Sequence, residues 1–185
     1  MFGSLGNKIV SGIASLTALV FSSYQGNEAQ LSDIGLLRQG NQLTVACRLQ
    51  HAFDHDFEEF FRSGKPINVW FIMQIRSNGR VVRERLFYHR VQYDPMSAYF
   101  NVNLQDQQFT TSVQNYQRLL ELLCGFTNTF VIDDLDQRHP IEISITAYLS
   151  EIRLDTMEKP FDMMLLWNFK RPDIKVRTVL NDLET

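Results

Sequence analysis

The sequence predicts a mainly β, α+β fold: an antiparallel β-sandwich or curved antiparallel sheet of about seven strands with two helices. Three observations carry this prediction. Apolar and polar residues alternate with period two over long stretches between Leu43 and Leu149, as strands with one buried face require. Hairpin signals, above all Asn78-Gly79, join those stretches. The strands also follow one another without the regular interleaving of helices that a parallel nucleotide-binding sheet needs.

Residues 1–30 form an N-terminal apolar segment, 31–170 a single β-rich domain, and 171–185 a polar tail. Ile9 to Phe21 are nearly uncharged, with Lys8 before them and the polar stretch Ser22 to Gln30 after. That order fits a weak secretory signal cleaved after Ser22. Ile9, Ile13, Leu16 and Val20 repeat at four, three and four, which equally fits an amphipathic helix lying on a membrane or a partner. The run is shorter than the ~20 apolar residues that span a bilayer.

Leu31 to Arg38 leads through Gln39, Gly40 and Asn41 into Leu43, Val45, Cys47 and Leu49, a first hairpin. Phe53, Phe57, Phe60 and Phe61 have the spacing of a short amphipathic helix, stopped by Ser63, Gly64 and Pro66. Ile67 to Ile75 alternates with Asn68, Trp70, Ile72, Gln74 and Arg76. Both faces of its middle are apolar, so it reads as a central strand with Trp70 and Phe71 in the core. Asn78-Gly79 turns the chain back through Val81 to Tyr93, Asp94 to Met96 break that strand, and Phe100, Val102 and Leu104 alternate in the next. Thr111 and Gln114 have capping-box spacing, ahead of a helical stripe of Val113, Tyr116, Leu120 and Leu123 that Gly125 stops. Thr129 to Asp133 reads as a short strand, Ile141 to Leu149 as a long one, and Met163 to Phe169 as the last. After Lys170 the tail is polar and predicted to be loosely held.

Composition narrows function. The 185 residues suit one domain, and a net charge of -3 excludes the basic excess of a dedicated nucleic-acid binder. There is no GxSxG, no GxxxxGK[ST] and no GxGxxG after a strand, so no catalytic residues and no cofactor are expected. Cys47 and Cys124 lack metal or redox spacing. They suit one long-range disulfide in an oxidising compartment or two buried thiols, and their positions favour thiols. His51 and His55 with Asp54 lack a third converging donor. Asp133, Asp134, Asp136 and His139 crowd a loop without the Gly and late Glu of an EF-hand. No metal site is therefore predicted.

Arg83, Arg85 and His89 share one parity of the second hairpin strand with Phe87, and Arg76, Arg80 and Arg90 lie near. Guanidinium groups beside an aromatic ring suit an acidic partner or anionic head groups. Arg76, Arg80, Arg83, Arg85, Phe87 and His89 are the candidate partner-binding set, and a solvated face neutralised by neighbouring acids is the plainer reading.

The junction from Phe60 to Ile67, the long hairpin after it, and His89 to Asp94 leading to Tyr99 and Phe100 resemble a bacterial family defined as a domain of unknown function. It occurs in short envelope-targeted proteins, and the resemblance covers residues 34–167. The resemblance implies an envelope-associated β domain and carries no catalytic residues. The expected function is a non-catalytic protein-binding or assembly domain in a cell-envelope or periplasmic complex. Its partner is another protein or a second copy, with membrane association through residues 9–21 and no nucleic acid. Two alternatives stand beside it: a carrier of a small apolar molecule or lipid, its cavity lined by Phe and Met, and a cytoplasmic scaffold subunit docking through its N-terminal helix.

Overall fold

The computed structural model describes residues 26–54, 57–153 and 159–183. The apolar run 9–21, the Ser22 cleavage site and His55 lie outside the described residues. The chain folds into two antiparallel sheets packed face to face, with short helices at one end, and does not close into a barrel. The smaller sheet has the order β1 (Gln30–Gln39), β2 (Gln42–Gln50), β7 (Gly125–Val131). The larger has the order β11 (Asp173–Val179), β8 (Pro140–Leu149), β3 (Ile67–Ser77), β4 (Arg80–Asp94), β5 (Tyr99–Leu104), β6 (Phe109–Val113). A two-stranded ribbon, β9 (Glu151–Ile152) with β10 (Phe161–Asp162), stands apart from both sheets.

Period-two patterning decides what each strand buries. Ile67, Val69, Phe71, Met73 and Ile75 of β3 are fully buried, and Ile141, Ile143, Ile145, Ala147 and Leu149 of β8 lie beside them. Leu43, Val45, Cys47 and Leu49 cover them from β2. Phe126 of β7 seats its ring 4.9 Å from Phe71 and 5.1 Å from Phe87, locking the sheets together. Each fully buried large side chain stabilises the fold by about 1.5–3 kcal/mol through transfer out of water.

One end of the sandwich is closed by aromatic packing around α1 (Phe57–Phe61). Phe53 lies 4.8 Å from Phe57 and 5.3 Å from Phe61. The Trp167 indole N–H donates to the Ala52 carbonyl at 2.8 Å, and the Tyr116 hydroxyl donates to the Phe53 carbonyl at 3.2 Å. Polar tips thus find partners while the rings stay in the core.

Several expectations are corrected. Thr111 does not cap a helix: Phe109–Val113 pair with β5 as an edge strand. The helix α2 (Tyr116–Cys124) starts later, where the Asn115 side chain accepts the Arg118 N–H at 2.9 Å. Met163–Trp167 is a 3-10 helix, because the Asp162 carboxylate caps the Met164 N–H at 2.8 Å and Asn168 leaves in the left-handed region. The tail is not loose, since β11 pairs with β8 from Asp173 to Val179 and turns Ile174 and Val176 inward. Residues 171–183 therefore do not form a separate tail, and the β-rich unit extends beyond 170. Trp70 is not core but half-buried on the opposite face of β3 from Phe71.

Candidate functional site

The six residues chosen from the sequence fall on two faces of the larger sheet. The register pairs Phe71 with Phe87, Val69 with His89 and Met73 with Arg85, so all of these point toward the smaller sheet. Phe87 and His89 are buried, at 2% and 0% exposure, and cannot meet a partner at the surface. Their parity was legible, but the sheet that covers them lies far away in sequence. Arg83 and Arg85 sit at the rim of the same inner face and are engaged within the chain. Arg83 pairs with Asp134. Arg85 donates to the Asn128 side-chain oxygen at 2.7 Å and lies 4.9 Å over the Phe130 ring. Arg80 is exposed at the start of β4, and Arg76 lies on the outer face opposite Glu142.

His89 is instead the centre of a buried polar pair. Nδ1 meets the Leu123 carbonyl at 2.9 Å, and Nε2 meets Asp106 Oδ1 at 2.8 Å, with both side chains at zero exposure. The Phe71 and Phe87 rings lie 5.1 and 5.9 Å from the imidazole. The pair ties β4, the turn after β5 and the end of α2 into one unit.

The acidic loop is also accounted for locally. The Arg83 guanidinium, hydrogen-bonded to Asp134, holds that carboxyl below its usual range and raises its own value in turn. The Arg138 backbone N–H and then His139 hold the Asp136 carboxyl low, with His139 Nδ1 at 2.7 Å. His51 meets Asp54 at 2.9 Å. Among the described residues no group of three His, Cys, Asp or Glu converges as a metal site. Cys47 and Cys124 are free thiols, and burial pushes them up to about 11 and about 12 respectively.

The outer face of the larger sheet is the feature that the sequence-chosen set met only at Arg76. Trp70 sits between its cross-strand neighbours Tyr88 and Tyr148, with ring centroids at 5.0 and 6.1 Å. Arg90 stacks 5.1 Å over Tyr88, and Arg171 stacks 5.2 Å over Tyr148. Ile72 and Leu86 extend the apolar strip along the strands, with Leu86 52% exposed. The cations of this face are Arg76, Arg90, Arg171, Lys175 and Arg177; the anions are Glu84, Asp94, Glu142 and Asp173. An excess of positive charge thus gathers on one face of a chain whose net charge is -3. None of the five cations enters an ion pair among the described residues. The signal was present as the alternation of Trp70 and Ile72 with the buried residues of β3.

Fold and face together define an open, two-sheet antiparallel β-sandwich domain with one sheet surface left aromatic and basic. Residues 26–175 match the family described as Domain of unknown function (DUF4390), and the chain belongs to that family. No curated protein and no solved structure matches it. Among the described residues no helix is long and apolar enough to cross a membrane.

Proposed function

We propose that this protein is a non-catalytic binding domain that docks an acidic segment of another protein on the outer face of its larger sheet. The carrying observation is the row Tyr148, Trp70, Tyr88 with a guanidinium stacked at each end. Aromatic and arginine side chains supply most of the energy at protein interfaces, and stacked guanidinium groups keep donors free for carboxylates. Charge selects the occupant. Two copies set face to face would oppose their five cations, whereas an acidic partner is attracted and steered.

The reading includes a position at the cell envelope, supported by the apolar run of residues 9–21. Fractionation of native cells with sequencing of the mature N-terminus tests it; an intact Met1 in a cytosolic complex overturns that part. For the docking itself, the complex formed by the tagged full chain is isolated from native cells and its partner identified. Binding of that partner by the purified chain should weaken with added salt and fall at least ~30-fold in Trp70→Ala, the loss of a hot spot of ~2 kcal/mol. Unchanged affinity in Trp70→Ala, or a partner face that is basic, contradicts the proposal.

A further inference from the structure

We infer that the hairpin end of the larger sheet's outer face holds a small-ligand site, for an oxyanion (carboxylate or phosphate) that carries a hydrogen-bond donor beside it. The inference does not depend on the docking of a protein partner; it needs only one row of side chains. The registers set Arg177 of β11 opposite Glu142 of β8, and Glu142 opposite Arg76 of β3. Directly opposed residues on neighbouring strands lie within ~5.5 Å at Cβ, so this plus-minus-plus row is placed to close into two ion pairs. Neither pair forms. The three side chains instead line a cavity of 380 Å³ together with Asn78, Gly79 and Pro140.

The hydrogen bonds point the same way. Arg76 spends one terminal N–H on the Gln74 side-chain oxygen at 2.9 Å, while its Nε is buried with no acceptor. Buried donors without partners are rare and costly, and an oxyanion between the two guanidinium groups gives Arg76 an acceptor once its side chain turns that nitrogen toward the cavity. The wall on the turn side comes from Asn78 and Gly79, at φ 51° and 77°. That left-handed pair makes the tight two-residue turn, which holds the hairpin tip against Pro140 and Glu142. Two guanidinium groups against one carboxylate leave the cavity positive, which selects an anion. Glu142 offers only acceptors when ionised, so it repels a bare anion and favours one with an adjacent ammonium or hydroxyl.

The test follows the arginine Nε–H resonances of the full chain by nuclear magnetic resonance during titration with glycine, acetate and inorganic phosphate. Glycine has the ammonium that acetate lacks, and hydrogen phosphate carries its own hydroxyl donor. The expected result is a saturable shift of Arg76 and Arg177 below about 10 mM glycine or phosphate, with acetate about tenfold weaker. Which of the two probes binds tighter distinguishes an amino-carboxylate ligand from a phosphate. Arg177 is exposed on an edge strand, so Arg177→Gln should keep the amide spectrum and lose the response. Glu142→Gln should strengthen acetate and erase the preference for glycine. No saturable shift with any probe, or a shift that survives Arg177→Gln, overturns the site; equal binding of acetate and glycine overturns the donor requirement.

Discussion

The two outward faces of the sandwich are built from the same strand geometry and carry opposite chemistry. On the smaller sheet the outward positions are Thr44, Ala46 and Arg48 of β2 against Thr127 and Thr129 of β7. The Thr44 and Thr129 hydroxyls hydrogen-bond across the strands at 3.1 Å. Leu37, Arg48 and Val131 are exposed around these small and hydroxyl residues, but no aromatic ring lies among the outward positions of β2 and β7. On the larger sheet the outward positions carry the coupled rings of Trp70, Tyr88 and Tyr148 with Arg90 and Arg171 stacked above. Both faces carry exposed apolar side chains, Leu37 and Val131 on the first and Leu86 on the second, but only the second sets a row of coupled aromatic rings beneath stacked guanidinium groups. The proposed docking rests on this contrast, since exposed apolar patches of this kind mark interaction sites.

The largest effects should fall beneath the second face, where strand parity separates fold from binding. Phe71→Ala should cost about 3–5 kcal/mol in urea unfolding, as a cavity in a filled core does. Trp70→Ala, one position along and on the other side, should cost clearly less. Equal losses would mean that the outer face is structural. His89→Leu strands the Asp106 carboxylate in the core and should cost a further comparable ~3–5 kcal/mol; a near-neutral variant would remove the buried pair from the account.

Asn115→Ala should cost about 1 kcal/mol through loss of its contact with the Arg118 N–H, seen as a lower urea midpoint with an unchanged slope. Between the faces, the thiols give a pH signature. In the unfolded chain each thiol titrates near its ordinary value of 9.0, while burial raises Cys47 to about 11 and Cys124 to about 12. The folded state holds these protons more tightly. Their contribution is therefore complete below pH 9 and is lost as pH rises through 11 to 12. Melting temperatures under reducing conditions should fall less steeply above pH 9 in Cys124→Ala than in the parent. Smallest of all, Thr129→Ala on the polar face should stay within about 0.5 kcal/mol and leave partner binding unchanged.

Much of this architecture was legible in the residues because local rules governed it. The alternation in Ile67–Ile75 and Ile141–Leu149 reported the core face directly, and Asn78-Gly79 reported the hairpin. The failures have one physical source: an edge strand needs only a partner, not a pattern of its own. Phe109–Val113 looked like a helix start because Thr111 and Gln114 have capping spacing, yet β5 recruits it. Asp173–Val179 looked like a tail because its outward half is charged, yet Ile174 and Val176 complete the core beside β8. The candidate site failed in the same way. Strand parity placed His89 and Phe87 correctly beside Arg83 and Arg85, but parity does not say which face the distant strand β7 will cover. Trp70 read as core because a tryptophan flanked by apolar residues usually is, and only the absence of a third layer over it among the described residues makes it a surface residue.

The central claim is that the aromatic face binds and the polar face does not. Leu86 and Val131 test it with exposure held constant, at 52% and 53% on the two outward faces. A photo-crosslinking amino acid is placed at each position in turn in the full chain, expressed in native cells. One defined adduct with an acidic protein from position 86, lost when Trp70→Ala is added, and none from position 131, is the predicted result. No adduct from position 86, or the same adducts from both positions, would contradict it.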